Sequence, residues 1–172
     1  MKKGFTMIEL IFVIVILGIL ASVAIPRLAA TREDAEISAA VANLRTLVSD
    51  VTAYYTAKGN FYSTGTTKAK WSDITNVPLD GATSDAVSAS AAAHLKAGGK
   101  NCIGVRLVEK NGATPAHIVF DKKSDGGAVC TQVQNSDPVK KAYLDSKVSY
   151  TQGKEKKEVS SAIAIGSSTS VY

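Results

Sequence analysis

The chain has 172 residues, with 20 basic and 15 acidic side chains and a formal net charge of +5. That length corresponds to one ordinary domain, and so mild a charge balance does not indicate a nucleic-acid-binding protein. The sequence contains no glycine-rich phosphate loop, no Gly-x-Ser-x-Gly elbow and no His-Glu-x-x-His helix motif. We therefore expect no enzymatic activity.

The amino-terminal segment is apolar enough to cross a membrane. From Phe5 to Ile25 the only charged residue is Glu9, and a helix of that length spans about 30 Å, the thickness of a bilayer core. Lys2 and Lys3 precede the segment, and positive charge favours the cytoplasmic side. We therefore expect a single pass, with the amino terminus in the cytoplasm and the residues after Ile25 outside.

Glu9 is the unusual residue of this segment. A charge within a membrane helix costs about 2.5 to 3.5 kcal/mol at mid-helix. One interpretation is that the carboxylate reaches the headgroup region near the membrane edge. The other is that it meets a counter-charge from a neighbouring molecule, because a buried carboxylate needs one.

A secretory signal peptide is an alternative interpretation of the same segment. The basic start, the apolar stretch and the triplet Ser22-Val23-Ala24 fit the composition rule for cleavage after Ala24. Two features argue against a signal peptide. They are the carboxylate in the apolar stretch and the helical pattern that continues beyond Pro26.

Apolar residues recur at helical intervals after the membrane segment. They are Ile37, Val41, Leu44, Val48, Val51 and Tyr55, and alanines between them add helix propensity. The sequence predicts one helix of about fifty residues that ends near Lys58 and Gly59. Its second half, residues 27–58, is apolar on one stripe only. Pro26 falls between the halves, where we expect a kink or a locally loosened helix.

The run GFTMIELIFVIVILGILASVAIP resembles the start of type IV pilins and of the pseudopilins of type II secretion systems. The resemblance rests on the basic leader ending in Gly4, then Phe5, Glu9 and the apolar run. It is strong over residues 1–58 and weak beyond. It implies a leader of residues 1–4, a membrane or filament-core helix of residues 5–26, and a periplasmic pilin-like domain of residues 27–172.

The resemblance also implies how such a chain is processed and assembled. A prepilin peptidase would cut between Gly4 and Phe5 and methylate the new amine. Subunits would then leave the bacterial inner membrane for a periplasmic or surface filament, a helical homopolymer in which the Phe5 amine of one copy neutralises Glu9 of another. Pro26 stands where many members carry a helix-loosening proline. The other implied partner is the inner-membrane assembly platform.

Three functions follow as alternatives. The first is a structural subunit of a type II secretion pseudopilus or a type IV pilus, with the pseudopilus preferred. The second is a pilin that binds DNA or surfaces. The third is a membrane-tethered or secreted domain that does not assemble.

Beyond the helix we expect an α+β fold, in which the long amino-terminal α-helix packs against a small antiparallel β-sheet. Phe61, Tyr62 and Trp71 should anchor a loop of residues 59–84 on the helix. The sequence then predicts a short helix from Asp85 to Ala97, capped by Ser84. A three-stranded meander should follow, and two short strands should flank a turn in the tail. The meander strands are Cys102–Glu109, Ala116–Asp121 and Ala128–Val133.

The sequence has two cysteines, Cys102 and Cys130, and in an exported domain we expect them to form a disulfide. They would join the first and third strands of the meander. Neither histidine lies at ligand spacing from them, so the sequence predicts no zinc site and no cofactor. Four carboxylates were considered for calcium, but the pattern favours solvated turns: Asp121, Asp125, Asp137 and Asp145. The lysines of the tail are interrupted by glutamates and are a weak signal for nucleic acid.

Overall fold

A computed structural model describes residues 4–64, 67–81 and 86–166 of the chain. It divides into two compact units, Met1–Ala35 and Glu36–Tyr172, which are described separately below. The helix that begins in the first unit ends in the second. The predicted α+β fold class, a long amino-terminal helix with a small antiparallel sheet, is confirmed.

Helix α1 runs from Met7 to Lys58, 52 residues, or about 78 Å. It ends where the sequence predicts: Gly59 has a φ of 75°, and its N–H donates to the carbonyl of Tyr55 at 2.7 Å. The helical residues continue through Pro26, so the proline does not end the helix, and the expected loosening stays a prediction. The helix is also long and apolar enough to cross a membrane, by length and composition.

The second unit contains a five-stranded antiparallel sheet in the order β3-β4-β5-β6-β9. Its two central strands, β5 and β6, are the first two strands of the predicted meander. The five strands are β3 (Leu79–Asp80), β4 (Ala93–Ala97), β5 (Lys100–Val108), β6 (His117–Lys122) and β9 (Ala162–Ala164).

The third predicted strand of the meander, Ala128–Val133, is wrong. These residues lie in helix α3 (Gly127–Asn135), and Cys130 and Val133 are buried. A spacing of three residues puts two side chains on one helical face, whereas the valines suggest a strand by propensity. The strand that pairs with the free edge of β6 is instead β9, from the tail.

The predicted helix from Asp85 to Ala97 is also wrong. Residues 93–97 form strand β4, in which Ala93, Leu95 and Ala97 are buried and His94 and Lys96 are less so. This alternation is the strand period, and pairing with β5 outweighs the helix propensity of alanine. Residues 86–92 are not helical, and Ser84 and Asp85 lie outside the described residues.

One face of the sheet is covered by the part of α1 that lies in the second unit, through its residues 40–55. A buried cluster joins the helix residues Leu44, Leu47 and Val51 to sheet residues such as Ile103 and Val105. Full burial of side chains of this size contributes about 1.5 to 3 kcal/mol each. The predicted apolar stripe is therefore the helix side of the core.

The segment after the helix contains short elements as well as loop. Strand β1 (Tyr62–Thr64) pairs with β2 (Thr67–Lys68), and helix α2 covers Trp71–Ile74. Phe61 is buried, with its ring centroid 4.9 Å from that of Tyr55, and Trp71 is also buried, which confirms that these two anchor the segment. The side chain of Tyr62 lies outside the described part.

The remaining elements are a short helix before the tail and two strands within it. Helix α4 (Asp137–Val139) continues as a π-helical turn, Lys140–Leu144. The two predicted tail strands are confirmed as an antiparallel ribbon of β7 (Lys147–Gln152) and β8 (Glu155–Ser160). Val148 of the ribbon joins Val119 and Ala162 in a second small buried cluster.

Candidate assembly site at the start of the helix

The first turn of α1 is a reciprocal capping box. The backbone N–H and the hydroxyl of Thr6 donate to Oε2 of Glu9 at 2.8 and 2.7 Å. The N–H of Glu9 lies 3.4 Å from the Thr6 hydroxyl oxygen, and the N–H of Leu10 donates to the Thr6 carbonyl at 3.2 Å. Thr-x-x-Glu is the sequence signature of this cap. Thr6 was not among the predicted site residues, although its spacing from Glu9 is sufficient to predict the cap.

Both hydrogen bonds from Thr6 go to one oxygen of the Glu9 carboxylate. The hydrogen bonds that the described residues donate to this carboxylate do not include one to the other oxygen, Oε1. A carboxylate has about four acceptor positions, so this group keeps capacity for a further donor. A cation that approaches Glu9 can therefore bind without breaking the cap.

Gly4 and Phe5, the predicted processing residues, precede the helix in non-helical backbone. Phe5 is 88% exposed. A Cβ built on Gly4 would meet no heavy atom within 4 Å among the described residues. The peptide bond between these two residues is thus open to an approaching enzyme.

The helix that follows exposes an apolar surface on all sides. Every residue from Phe5 to Leu28 is exposed, including Phe12 and Ile19, at 66% and 63%. So large an apolar surface marks contact with lipid or protein. Pro26 lies near its carboxyl-terminal end, seventeen residues after Glu9.

The predicted disulfide between Cys102 and Cys130 is confirmed, but it joins β5 to α3 instead of joining two strands. The two Cα atoms are 5.3 Å apart. The Nε2 of Gln134 donates to the carbonyls of Cys102 and Lys123, both at 2.9 Å. A Cβ on Gly126 would overlap Sγ of Cys130, so only glycine fits beside the bond.

The four carboxylates considered for calcium are separate groups in the structure. Asp121 accepts two hydrogen bonds from the Arg106 guanidinium, at 2.7 and 2.8 Å, and this contact raises the pKa of Arg106. Asp137 pairs with a lysine one turn away, and Asp125 and Asp145 are exposed. Within residues 4–64, 67–81 and 86–166, no three His, Cys, Asp or Glu side chains form a group that could hold a metal ion.

Comparisons with known proteins match the amino-terminal part of the chain. Residues 1–25 match the model of the prokaryotic N-terminal methylation motif. The chain is 39% identical to the type IV major pilin protein PilA of Myxococcus xanthus, over 44% of this chain and 30% of that one. It is 38% identical to type II secretion system core protein G of Pectobacterium carotovorum, over 37% of this chain and 40% of that one.

A third relative is a fimbrial protein of Neisseria meningitidis, 42% identical over 38% of this chain and 39% of that one. The matches thus span between 30% and 40% of the length of these relatives. No solved structure shows a significant match. The chain therefore begins with the prokaryotic N-terminal methylation motif, and over less than half of its length it is similar to type IV pilins and type II secretion pseudopilins alike.

Proposed function

We propose that this chain is a structural subunit of a helical filament, either a type II secretion pseudopilus or a type IV pilus. The observation that carries the proposal is the Glu9 carboxylate, capped through one oxygen and open at the other, at the start of an exposed apolar helix. The relatives include both a pilin and a secretion-system protein. Their shared motif supports assembly as the common function.

Processing supplies the partner for Glu9. A prepilin peptidase removes residues 1–4 and methylates the amine of Phe5, which stays cationic after methylation. In lipid the second carboxylate oxygen has no cationic partner, whereas in a filament the Phe5 amine of another copy provides one. A buried carboxylate that gains a partner is far better satisfied than one without.

The chain needs a membrane before assembly and copies of itself afterwards. It crosses the bacterial inner membrane once, with the start of α1 on the cytoplasmic side. The second unit, Glu36–Tyr172, which we call the head, lies in the periplasm. The assembly platform of the secretion or pilus machine transfers it to the filament. Neither role needs catalysis, and the relatives are named as pilin, fimbrial and secretion-system core proteins.

A Glu9→Leu variant tests the role of the carboxylate. We expect processing at Phe5 to continue and sheared filaments to be lost, because the amine of one copy then faces no acid. Glu33→Gln, a change of an exposed acid on the same helix, is the matched control and should assemble normally. Normal assembly of Glu9→Leu would contradict the pairing and favour a carboxylate that only reaches the headgroups.

Intact mass of the natural chain tests the processing step. A start at a methylated Phe5, together with filaments in the microscope, is the expected result. A start at Ile25 would instead identify a cleaved signal peptide and a domain that does not assemble. Retention of residues 1–4 would exclude prepilin processing.

A further inference from the structure

The connection between β5 and β6 contains the dipeptide Asn111-Gly112. Strand β5 ends at Val108 and β6 begins at His117, so this turn lies beyond the ladder that joins the two strands. The N–H of Asn111 donates to the Thr114 carbonyl at 3.1 Å, and the N–H of Thr114 donates to the Asn111 carbonyl at 3.0 Å. The turn is therefore a small separate hairpin, closed by these two hydrogen bonds.

The backbone nitrogen of Gly112 is open on this hairpin. Asn111 and Gly112 are both exposed. Gly112 has a φ of 56°, and a Cβ built on it would meet no heavy atom within 4 Å among the described residues. The backbone hydrogen bonds of the described residues include none that the Gly112 N–H donates. The nitrogen that follows the Asn111 side chain is thus neither hindered nor held.

The nitrogen that follows each of the other asparagines is bonded or buried. These asparagines are Asn43, Asn60, Asn76, Asn101 and Asn135. The Phe61 N–H donates to the Glu109 carboxylate at 2.8 Å, and the Val77 N–H donates to the Thr75 hydroxyl at 3.1 Å. The Ser136 N–H donates to a carbonyl of α3 at 2.9 Å. The nitrogens after Asn43 and Asn101 lie inside α1 and at the buried disulfide.

We propose that Asn111 is a site of spontaneous deamidation, with water as the co-reactant. The Gly112 nitrogen forms a bond to Cγ of Asn111, and the bond between Cγ and the side-chain nitrogen breaks. The proton of the Gly112 N–H leaves with that nitrogen as ammonia, and a five-membered imide ring remains. Water then adds to one of the two ring carbonyls and opens the ring, which gives aspartate or isoaspartate without an oxidant or a reductant.

The hairpin allows this reaction in the folded chain. Ring closure needs rotation about the Asn111 backbone, so the hairpin has to open first. Opening breaks the two hydrogen bonds between Asn111 and Thr114 and leaves the β5–β6 ladder intact. Local openings of exposed turns occur without unfolding of the domain. Gly112 has no Cβ that could obstruct the attack.

Either product changes the turn permanently. The loss of the amide adds one negative charge to the head, and isoaspartate also adds one carbon to the main chain between Asn111 and Gly112. The modified fraction should increase with the age of the chain, since the reaction needs only water. The inference is independent of the proposed function, because it requires neither processing nor assembly.

Peptide mapping of the full chain tests the site. The chain is incubated in detergent micelles at mildly alkaline pH, in water enriched in the heavy oxygen isotope. The peptide with Asn111 should convert at least about tenfold faster than the peptide with Asn76, because Gly112 is unhindered and its hairpin opens locally. Its products should be two isomers that each carry one heavy oxygen. Asn76 is also exposed, so equal rates at the two positions would overturn the inference.

Two variants test the same site through charge. Ion-exchange chromatography of the aged, unaltered chain should separate a more acidic form. Asn111→Gln should remove this form, because a glutamine would have to close a larger ring, whereas Asn76→Gln, the matched control, should retain it. An acidic form that persists in Asn111→Gln, or that is lost in Asn76→Gln, would place the reaction elsewhere and overturn the inference.

Discussion

Thr6 holds the Glu9 carboxylate in the first turn of α1 through two hydrogen bonds. Thr6→Val removes the hydroxyl of the cap, a loss worth about 1 kcal/mol, whereas Thr6→Ser retains it. We expect amide hydrogen exchange at Glu9 to be about fivefold faster in micelles for the valine variant, with fewer filaments. Equal exchange rates in the two variants would show that the hydroxyl does not stabilise the first turn.

The phenol of Tyr143 makes stability depend on alkaline pH. Its ring packs on Phe120, with centroids 5.3 Å apart, and burial raises its pKa, an effect that Arg45 partly offsets. Because the folded pKa exceeds the unfolded value of about 10, the stability that Tyr143 contributes is complete below pH 10 and is lost as pH rises through the folded pKa.

Urea unfolding of a soluble fragment from Arg27 onward, at pH 8 and at pH 11, measures this effect. We expect Tyr143→Phe to lose less stability between the two pH values than the unaltered fragment does. Tyr150→Phe, at a half-buried position of the β7–β8 ribbon, is the control and should follow the unaltered fragment. Equal losses for Tyr143→Phe and the unaltered fragment would contradict the prediction.

Among the helices and strands, the ones with a long and regular sequence pattern are predicted correctly. The stripe from Ile37 to Tyr55 covers five turns, and strands β5 and β6 each contain a short apolar run, Cys102–Val105 and Ile118–Phe120, so their assignments are correct. The secondary structure of short segments depends on contacts with distant parts of the chain, which a local sequence pattern does not reveal. Ala93–Ala97 forms a strand because β5 offers it hydrogen-bond partners, and residues 128–133 form a helix although valines favour strands.

The disulfide between β5 and α3 should be a large single contribution to the stability of the head. Its cysteines are 28 residues apart, and closing a loop of that length is worth about 3 to 4 kcal/mol in the chain-entropy model. We expect Cys102→Ser with Cys130→Ser to lower the free energy of unfolding by that amount, measured with urea.

Gly126→Ala is a second test of the same bond. The added methyl group would clash with Cys130 and should destabilise the oxidised head. Gly99→Ala is not a neutral control, because Gly99 has a φ of 73°, whereas Ser124→Ala changes an exposed residue of the preceding turn. A Gly126→Ala head as stable as Ser124→Ala would contradict the packing described here.

In the whole molecule, the apolar side chains form two sets, a buried core and an exposed amino-terminal segment. Among the described residues, the buried core lies within residues 40–165, whereas the large exposed apolar side chains lie within residues 5–28. We expect a fragment from Arg27 onward to be soluble and monomeric by size-exclusion chromatography, and the chain from Phe5 to require detergent. Aggregation of the fragment at micromolar concentration would show that the head depends on the first segment.

The whole-molecule organisation could be predicted because the boundary is marked in the composition: charges are nearly absent before Ile25 and frequent after Arg27. The composition of the head does not predict which strands pair in its sheet. Strand β9 completes the sheet from a segment far along the chain, and its partner β6 cannot be recognised from a run as short as Ala162–Ala164.

The bond between Cys102 and Cys130 ties β5 to α3 and leaves the long rod outside the closed loop. The exposed apolar segment Phe5–Leu28 lies outside that loop, so we expect reduction of the bond to weaken the second unit and to leave this segment unaltered. If the chain forms the proposed filament, subunits with a reduced disulfide should still assemble, and proteases should cut their second unit first.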